Sequence, residues 1–244
     1  MWPGVRWSAF AYFKRFYVRH SSMEYSPKSV MMGCFYLAAK IEEFNVSIDD
    51  FIRNLRSGTP ESNTETILSL EPVIMLKLDY HLTVHSPFRP MEGHLIDMKN
   101  SDCCANDVDL ECVRPGAEKF YQKGLVTDVM LLFPPAQIAL AAVRHGLLLA
   151  GKPATIVDDY VHSKLLPEDA TSANKLIARL DEIIECVERQ GQIQPQETTD
   201  RLQTRMQQWN KLQIALEQRT KMRVSGPGGG GLAGDEANNS DDDD

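Results

Sequence analysis

One pattern occurs twice in this 244-residue chain, 108 residues apart. An aromatic-rich stretch leads to a loop ending in aromatic-x-Pro, and the proline opens a segment of small apolar residues. Tyr12-Phe13 matches Phe120-Tyr121, Tyr17 matches Leu125, Tyr25 matches Phe133 and Pro27 matches Pro135. Val30, Met32 and Cys34 match Ile138, Leu140 and Ala142. Proline is tolerated at the first position of a helix, where its missing N–H would have no partner anyway. Gly33, Ala38 and Ala39, and Ala136, Ala139, Ala141 and Ala142, are small enough to let neighbouring helices approach closely. A helix that is apolar on most faces is a buried one. The repeat therefore predicts an all-α chain of two similar bundles in tandem, each wrapped on one central helix. The join falls near His85-Ser86-Pro87, where Pro87 and Pro90 interrupt helical continuity.

Apolar residues recur at helical spacing, and hairpin and alternating-strand signals are nearly absent. The predicted helices span about 5–19, 27–43, 47–56, 63–80, 88–99, 106–123, 135–150, 153–162, 171–190 and 196–222. Ser47-Ile48-Asp49-Asp50 reads as an N-cap followed by acids in the first turn. The expected divisions are a first bundle over 1–84, a second over 85–190, a C-terminal amphipathic helix over 191–224 and a disordered Gly/Asp-rich tail over 225–244. Leu202, Met206, Trp209, Leu212 and Leu216 form the apolar stripe of that last helix, which is expected to pack back on the body. The tail has too little apolar surface to bury a core.

That tail also explains the net charge of −8. It holds six of the 34 acidic residues and no Lys or Arg, so the remaining body carries 28 acids against 26 bases, a net −2. Such a surface gives no support for bulk nucleic-acid affinity. No apolar run approaches the ~20 residues that span a bilayer, so no membrane role is expected. The five cysteines, Cys34, Cys103, Cys104, Cys112 and Cys186, are irregularly spaced and read as reduced thiols of the cytosol or nucleus, with Cys103-Cys104 in a polar loop.

Catalytic signatures are missing. Gly228–Gly231 lies in the polar tail without a preceding strand or a following Lys-Ser/Thr, so it is not a phosphate loop. His81 and His85 have the spacing of a metal pair, but Leu82-Thr83-Val84 and Pro87 suggest an extended exit from a helix. Glu42 and Glu43 are adjacent, and adjacent helical positions do not face each other. The chain reads as non-enzymatic, with no cofactor and no metal.

Leu37-Ala38-Ala39-Lys40-Ile41-Glu42-Glu43-Phe44 instead ends an apolar helix in charges that face solvent or a partner. Met31 to Phe44 resembles the third helix of a cyclin box with its Lys-x-Glu-Glu end. Asn45-Val46-Ser47, Tyr12 to Tyr17 and the run Leu82 to Lys99 resemble cyclins of the H type, and Pro134 to Leu140 resembles the matching helix of a second box. The resemblance covers about residues 8–190.

The resemblance implies two tandem cyclin boxes and a regulatory subunit that holds the mobile helix of a kinase in its active position. The implied partner is a kinase of the cyclin-dependent kinase 7 type, with a RING-type assembly factor. The implied setting is the nucleus, where that kinase activates other cyclin-dependent kinases and, within TFIIH, phosphorylates the RNA polymerase II tail. The family's key lysine and glutamate carry over to Lys40 and Glu71, with Leu37, Ile41 and Met75 as apolar ground beneath the kinase helix and Glu43 facing the activation segment. Lys40 would donate to backbone carbonyls at one end of that helix, and Glu71 would accept N–H groups at its start. Pro72 falls inside the predicted helix 63–80, and a kink is expected there with Glu71 still at the interface.

A cyclin box begins with a helix ahead of residue 5, and this sequence starts in what resembles the second. The expectation is an incomplete gene model or a truncated form, with Trp2, Trp7, Phe10 and Phe13 left partly exposed. The competing readings are another transcriptional cyclin of the C type, a TFIIB-like nucleic-acid-binding protein, which needs a basic face, and a bare helical scaffold.

Overall fold

The computed structural model describes residues 1–101, 110–192 and 194–224. All regular secondary structure among them is helical. The described residues up to Gln192 form one compact unit and those from Gln194 to Val224 a second. Within the first unit the helices are α1 (Pro3–Arg19), α2 (Pro27–Ile41), α3 (Ile48–Arg53), α4 (Pro60–Lys77), α5 (Phe88–Lys99), α6 (Arg114–Leu125), α7 (Val129–Leu132), α8 (Pro135–Leu149), α9 (Thr155–Tyr160) and α10 (Ala170–Gln190). A 3₁₀ turn over Leu110–Val113 leads into α6, and α9 runs into a π turn over Val161–Leu165.

The repeat is real in three dimensions. α2 and α8 are each 15 residues long, each opens on its proline, and the second starts 108 residues after the first. Val30 and Ile138, and Cys34 and Ala142, are buried at matching positions. α1 and α4 pack on α2, and α5, α6 and α10 pack on α8. Glycine sets the closest crossings. A Cβ on Gly33 would stand 2.6 Å from Cδ1 of Ile74 on α4. In the second bundle a Cβ on Gly116 would stand 2.7 Å from the Cα of Gly146, and one on Gly146 would stand 2.6 Å from the Val113 carbonyl oxygen. Of the small residues expected to be buried, Ala136 is exposed, because it lies in the first turn of α8 before that helix enters the core.

Local signals hold at several ends. The Ser47 hydroxyl oxygen accepts from the Asp50 N–H at 3.1 Å and caps α3. α5 occupies the expected 88–99. Residues 81–86, with His81 and His85, form a non-helical exit from α4. The helix expected over 106–123 is resolved as the 3₁₀ turn and α6, its first residues lying outside the described ones. α7 was not expected at all. α4 runs through Pro72 as one helix, and the proline takes away the donor that would reach the Leu68 carbonyl. Cys34 is buried and its thiol is pushed up to about 12 by that burial, which leaves it inert at neutral pH. Cys103 and Cys104 and the acidic tail lie outside the described residues.

Trp7 corrects the expectation of an exposed aromatic patch. It is 2% exposed, and it belongs to the core of the second bundle although it sits on α1. Its ring meets Phe88 and Tyr121 edge-on at 6.0 and 6.1 Å. Val5, Ala9, Tyr12 and Phe16 of the same helix enter the first core. The Tyr12 hydroxyl donates to the Leu82 carbonyl at 2.5 Å. α1 is thus shared by the two bundles. Trp2 is exposed, and Phe10 and Phe13 are half-buried.

Two histidines of the second bundle make its stability pH-dependent. Burial holds the His94 and His145 imidazoles below their ordinary value, against the opposing pull of Asp97 and Glu188. In this window the unfolded chain binds more protons than the folded one, so stability rises with pH. It is fully present above the unfolded histidine value of about 6.5 and falls as pH drops through the lower folded values. Urea midpoints followed by circular dichroism are expected to be lower at pH 5.5 than at pH 7.5, and His145→Gln is expected to flatten that difference.

The second unit contributes α11 (Gln196–Val224). Leu202, Leu212 and Leu216, expected to be covered, are each more than half exposed, while Met206 and Trp209 are half-buried. Among the described residues no helix is long and apolar enough to cross a membrane.

Candidate functional site

The end of α2 and the middle of α4 bring the predicted charged pair together. The Lys40 ammonium donates to both carboxylate oxygens of Glu71, at 2.7 and 2.9 Å. It also lies 4.5 Å from the centroid of the Tyr36 ring, a cation–π contact. The Glu71 side chain is 14% exposed and the Lys40 side chain 47%, so the pair sits at the rim of the surface. Lysine in the last turn of α2 suits the partial negative charge at a helix C-terminus.

The two glutamates beyond Lys40 part company. Glu42 turns back into the bundle, where its carboxylate accepts from the Ser8 hydroxyl at 2.6 Å. Glu43 is exposed and takes a left-handed backbone, φ 55°. That conformation is uncommon for a residue with a Cβ, and here it reverses the chain so that the Phe44 N–H reaches the Ala39 carbonyl at 2.8 Å. The Lys-x-Glu-Glu end is thus one structural carboxylate and one free carboxylate.

The apolar residues also divide. Ile41 is 42% exposed beside Lys40, and Met75 is half-buried one turn after Glu71. Leu37 is buried in the first core, so it supports this surface from within and offers a partner nothing to touch. Sequence reasoning missed Leu68. Its spacing of three and seven from Glu71 and Met75 puts it on the same face of α4, and it is 46% exposed. The i, i+3, i+7 pattern was present in the sequence.

Residues 3–83 match the cyclin N-terminal domain and residues 86–193 the cyclin C-terminal domain, which together take in most of the chain. The chain belongs to the cyclin family. Its two bundles are the two cyclin domains, α2 and α8 are their central helices, and the Lys40–Glu71 pair lies on the N-terminal one.

This cyclin is 40% identical to Cyclin-H of Xenopus laevis over 146 residues, 59% of this chain and 45% of that protein. It is 35% identical to Cyclin-H1-1 of Arabidopsis thaliana over 148 residues, 59% of this chain and 43% of that one. It is 34% identical to Cyclin mcs2 of Schizosaccharomyces pombe over 165 residues, 67% and 48%. The cyclin therefore aligns with less than half the length of each of these relatives. It is similar to a chain in the cryo-EM structure of the yeast TFIIK (Kin28/Ccl1/Tfb3) complex, with TM-score 0.64, 27% identity and coverage of 76% of this chain and 77% of that one. A chain of the CAK complex from Chaetomium thermophilum bound to ATP-gamma-S shares the fold, with TM-score 0.70 at 21% identity over 96% of this chain and 76% of that one.

Proposed function

We propose that this cyclin is the regulatory subunit of a kinase of the cyclin-dependent kinase 7 type and that the face around Lys40 and Glu71 binds it. The observation that carries the reading is the bidentate Lys40–Glu71 pair set beside exposed Ile41 and Leu68 and half-buried Met75. A kinase helix laid there would seat its apolar side on those three residues. Because the two side chains lie within a hydrogen bond of each other, both would engage one end of that helix, Lys40 donating to a backbone carbonyl and Glu71 accepting backbone N–H groups there, with Glu43 toward the activation segment and Leu37 as support beneath. Activation follows because the Lys–Glu ion pair of a kinase and its metal-binding Asp come into register only when that helix is in place. Catalysis belongs to the kinase, and this chain supplies position.

In the free chain the two side chains hold each other, so engagement requires the pair to open. The Glu71 side chain is only 14% exposed, so opening the pair has a cost, which the charge-assisted bonds to the kinase helix would offset.

The similarity to the H-type cyclins and to the yeast TFIIK chain supports the rest of the reading. It comprises a RING-type assembly factor as third partner, a place in a TFIIH assembly in the nucleus, and other cyclin-dependent kinases and the RNA polymerase II tail as substrates. Direct nucleic-acid binding has no support, since the body is at −2.

The experiment is a titration of purified cyclin-dependent kinase 7-type kinase with wild-type chain, Lys40→Ala and Lys40→Ala with Glu71→Ala. The double variant is expected to bind at least tenfold more weakly and to activate correspondingly less, with unchanged circular dichroism. Wild-type binding and activation by the double variant would remove this face from the interface.

A further inference from the structure

A second surface of the first unit lies away from the pair. A groove of about 580 Å³ opens where the C-terminal half of α1 and the end of α4 meet α7. Three side-chain cations line it, Arg15 and Arg19 from α1 and Lys77 from α4, against a single carboxylate, Asp79. Asp79 is bound to Arg19 at 2.6 Å. Arg15 donates to the His81 carbonyl at 3.4 Å, and neither Arg15 nor Lys77 is paired with a carboxylate among the described residues. The groove is thus locally at +2 on a body at −2. Its walls are apolar: Val18 is 69% exposed and Leu131 is 38% exposed. The corner that carries Asp79 is costly backbone, with Asp79 and Tyr80 in the left-handed region at φ 52° and 57°.

We propose that this groove docks a peptide segment carrying one phosphoserine or phosphothreonine, the phosphoryl group between Arg15 and Lys77 and an adjacent apolar residue on Val18 and Leu131. A phosphoryl group carries about −1.5 to −2 charges and three strong acceptor oxygens, which matches the local +2 and the Arg15 guanidinium, whose one long bond to the His81 carbonyl leaves further N–H donors for it. A nucleic acid fits less well. It requires a continuous basic track, whereas this one is a single short cluster on a slightly acidic body. The site is separate from the Lys40–Glu71 face and stands without it, although a kinase subunit with such a groove would retain substrates already phosphorylated once.

The test is fluorescence anisotropy of the full chain with a labelled Gly-Ser-Leu-phosphoThr-Leu-Ser-Gly peptide, its unphosphorylated twin and a labelled ten-nucleotide single-stranded RNA. The phosphorylated peptide is expected to bind at least tenfold tighter than its twin, and inorganic phosphate at millimolar concentration is expected to displace it. Arg15→Ala with Lys77→Ala is expected to remove the preference, while Lys40→Ala leaves it intact. Should the double variant lose its circular dichroism, Val18→Glu places a carboxylate in the groove from an exposed helical position and is expected to have the same effect. Equal binding of the two peptides overturns the proposal. So does a phosphate preference that survives in folded Arg15→Ala/Lys77→Ala or in Val18→Glu. RNA that binds tighter than the phosphopeptide reassigns the groove to nucleic acid.

Discussion

Trp7→Ala is expected to lower the unfolding free energy of this cyclin by about 3–5 kcal/mol, the range for removing a large aromatic from a core. Typical domains have only about 5–15 kcal/mol in all, so the urea midpoint should fall by about a fifth or more. The loss has two sources. The indole is 2% exposed, so its removal leaves a void that the α1, α5 and α6 backbones cannot close without moving. The edge-on contacts with Phe88 and Tyr121 also go, and aromatic pairs of this kind contribute about 0.5–1.5 kcal/mol beyond area. Because Trp7 anchors α1 in the second core while Tyr12 and Phe16 anchor it in the first, the variant should also loosen the coupling between bundles. Wild type is expected to unfold in one transition by circular dichroism, and Trp7→Ala in two or in one broadened transition. Trp7→Phe keeps part of the ring contact and should lose less than half as much. A midpoint for Trp7→Ala within error of wild type would show that α1 is not held by the second core.

Trp7 also marks where sequence reading stopped. A helix that serves one core shows one apolar stripe, and its opposite face reads as exposed. α1 serves two, with Val5, Ala9, Tyr12 and Phe16 turned one way and Trp7 the other. No periodicity announces the second neighbour. The central helices were legible because proline, small residues and apolar faces recur together at one offset, and α2 and α8 reproduce that offset to the residue. The Gly116–Gly146 crossing was not legible, since it pairs two glycines of different helices and only packing shows that each excludes a Cβ. α7 is four residues long and too short for a period. At the candidate site, the family resemblance singled out Lys40 and Glu71 as contacts to a kinase helix, and that they bind each other within the chain did not follow from it. The burial of Leu37 and the inward turn of Glu42 did not follow from it. Both depend on what α1 and α4 place beside the end of α2: the first core closes over Leu37, and Ser8 binds Glu42.

The pair that is both internal bond and proposed clamp can be separated into its two roles by exchanging its charges. Lys40→Glu with Glu71→Lys restores an ion pair between the same positions, so the folded chain keeps the attraction and should lose little stability. To a kinase helix, however, the exchange presents a carboxylate to backbone carbonyls and an ammonium to backbone N–H groups. Each favourable charge–dipole contact becomes a repulsive one, and like-charge juxtaposition across an interface costs several kcal/mol. Binding of the cyclin-dependent kinase 7-type kinase is therefore expected to weaken by more than 100-fold, well beyond the alanine double variant, while the urea midpoint stays near wild type. Lys40→Glu alone sets two carboxylates side by side next to the 14%-exposed Glu71. It should therefore be less stable than the exchange, and that comparison measures the internal bond. If the exchanged chain bound the kinase as tightly as the alanine double variant does, the contact would be apolar in origin. The weight would then shift to Ile41, Leu68 and Met75, and Leu68→Asp would become the variant expected to abolish binding.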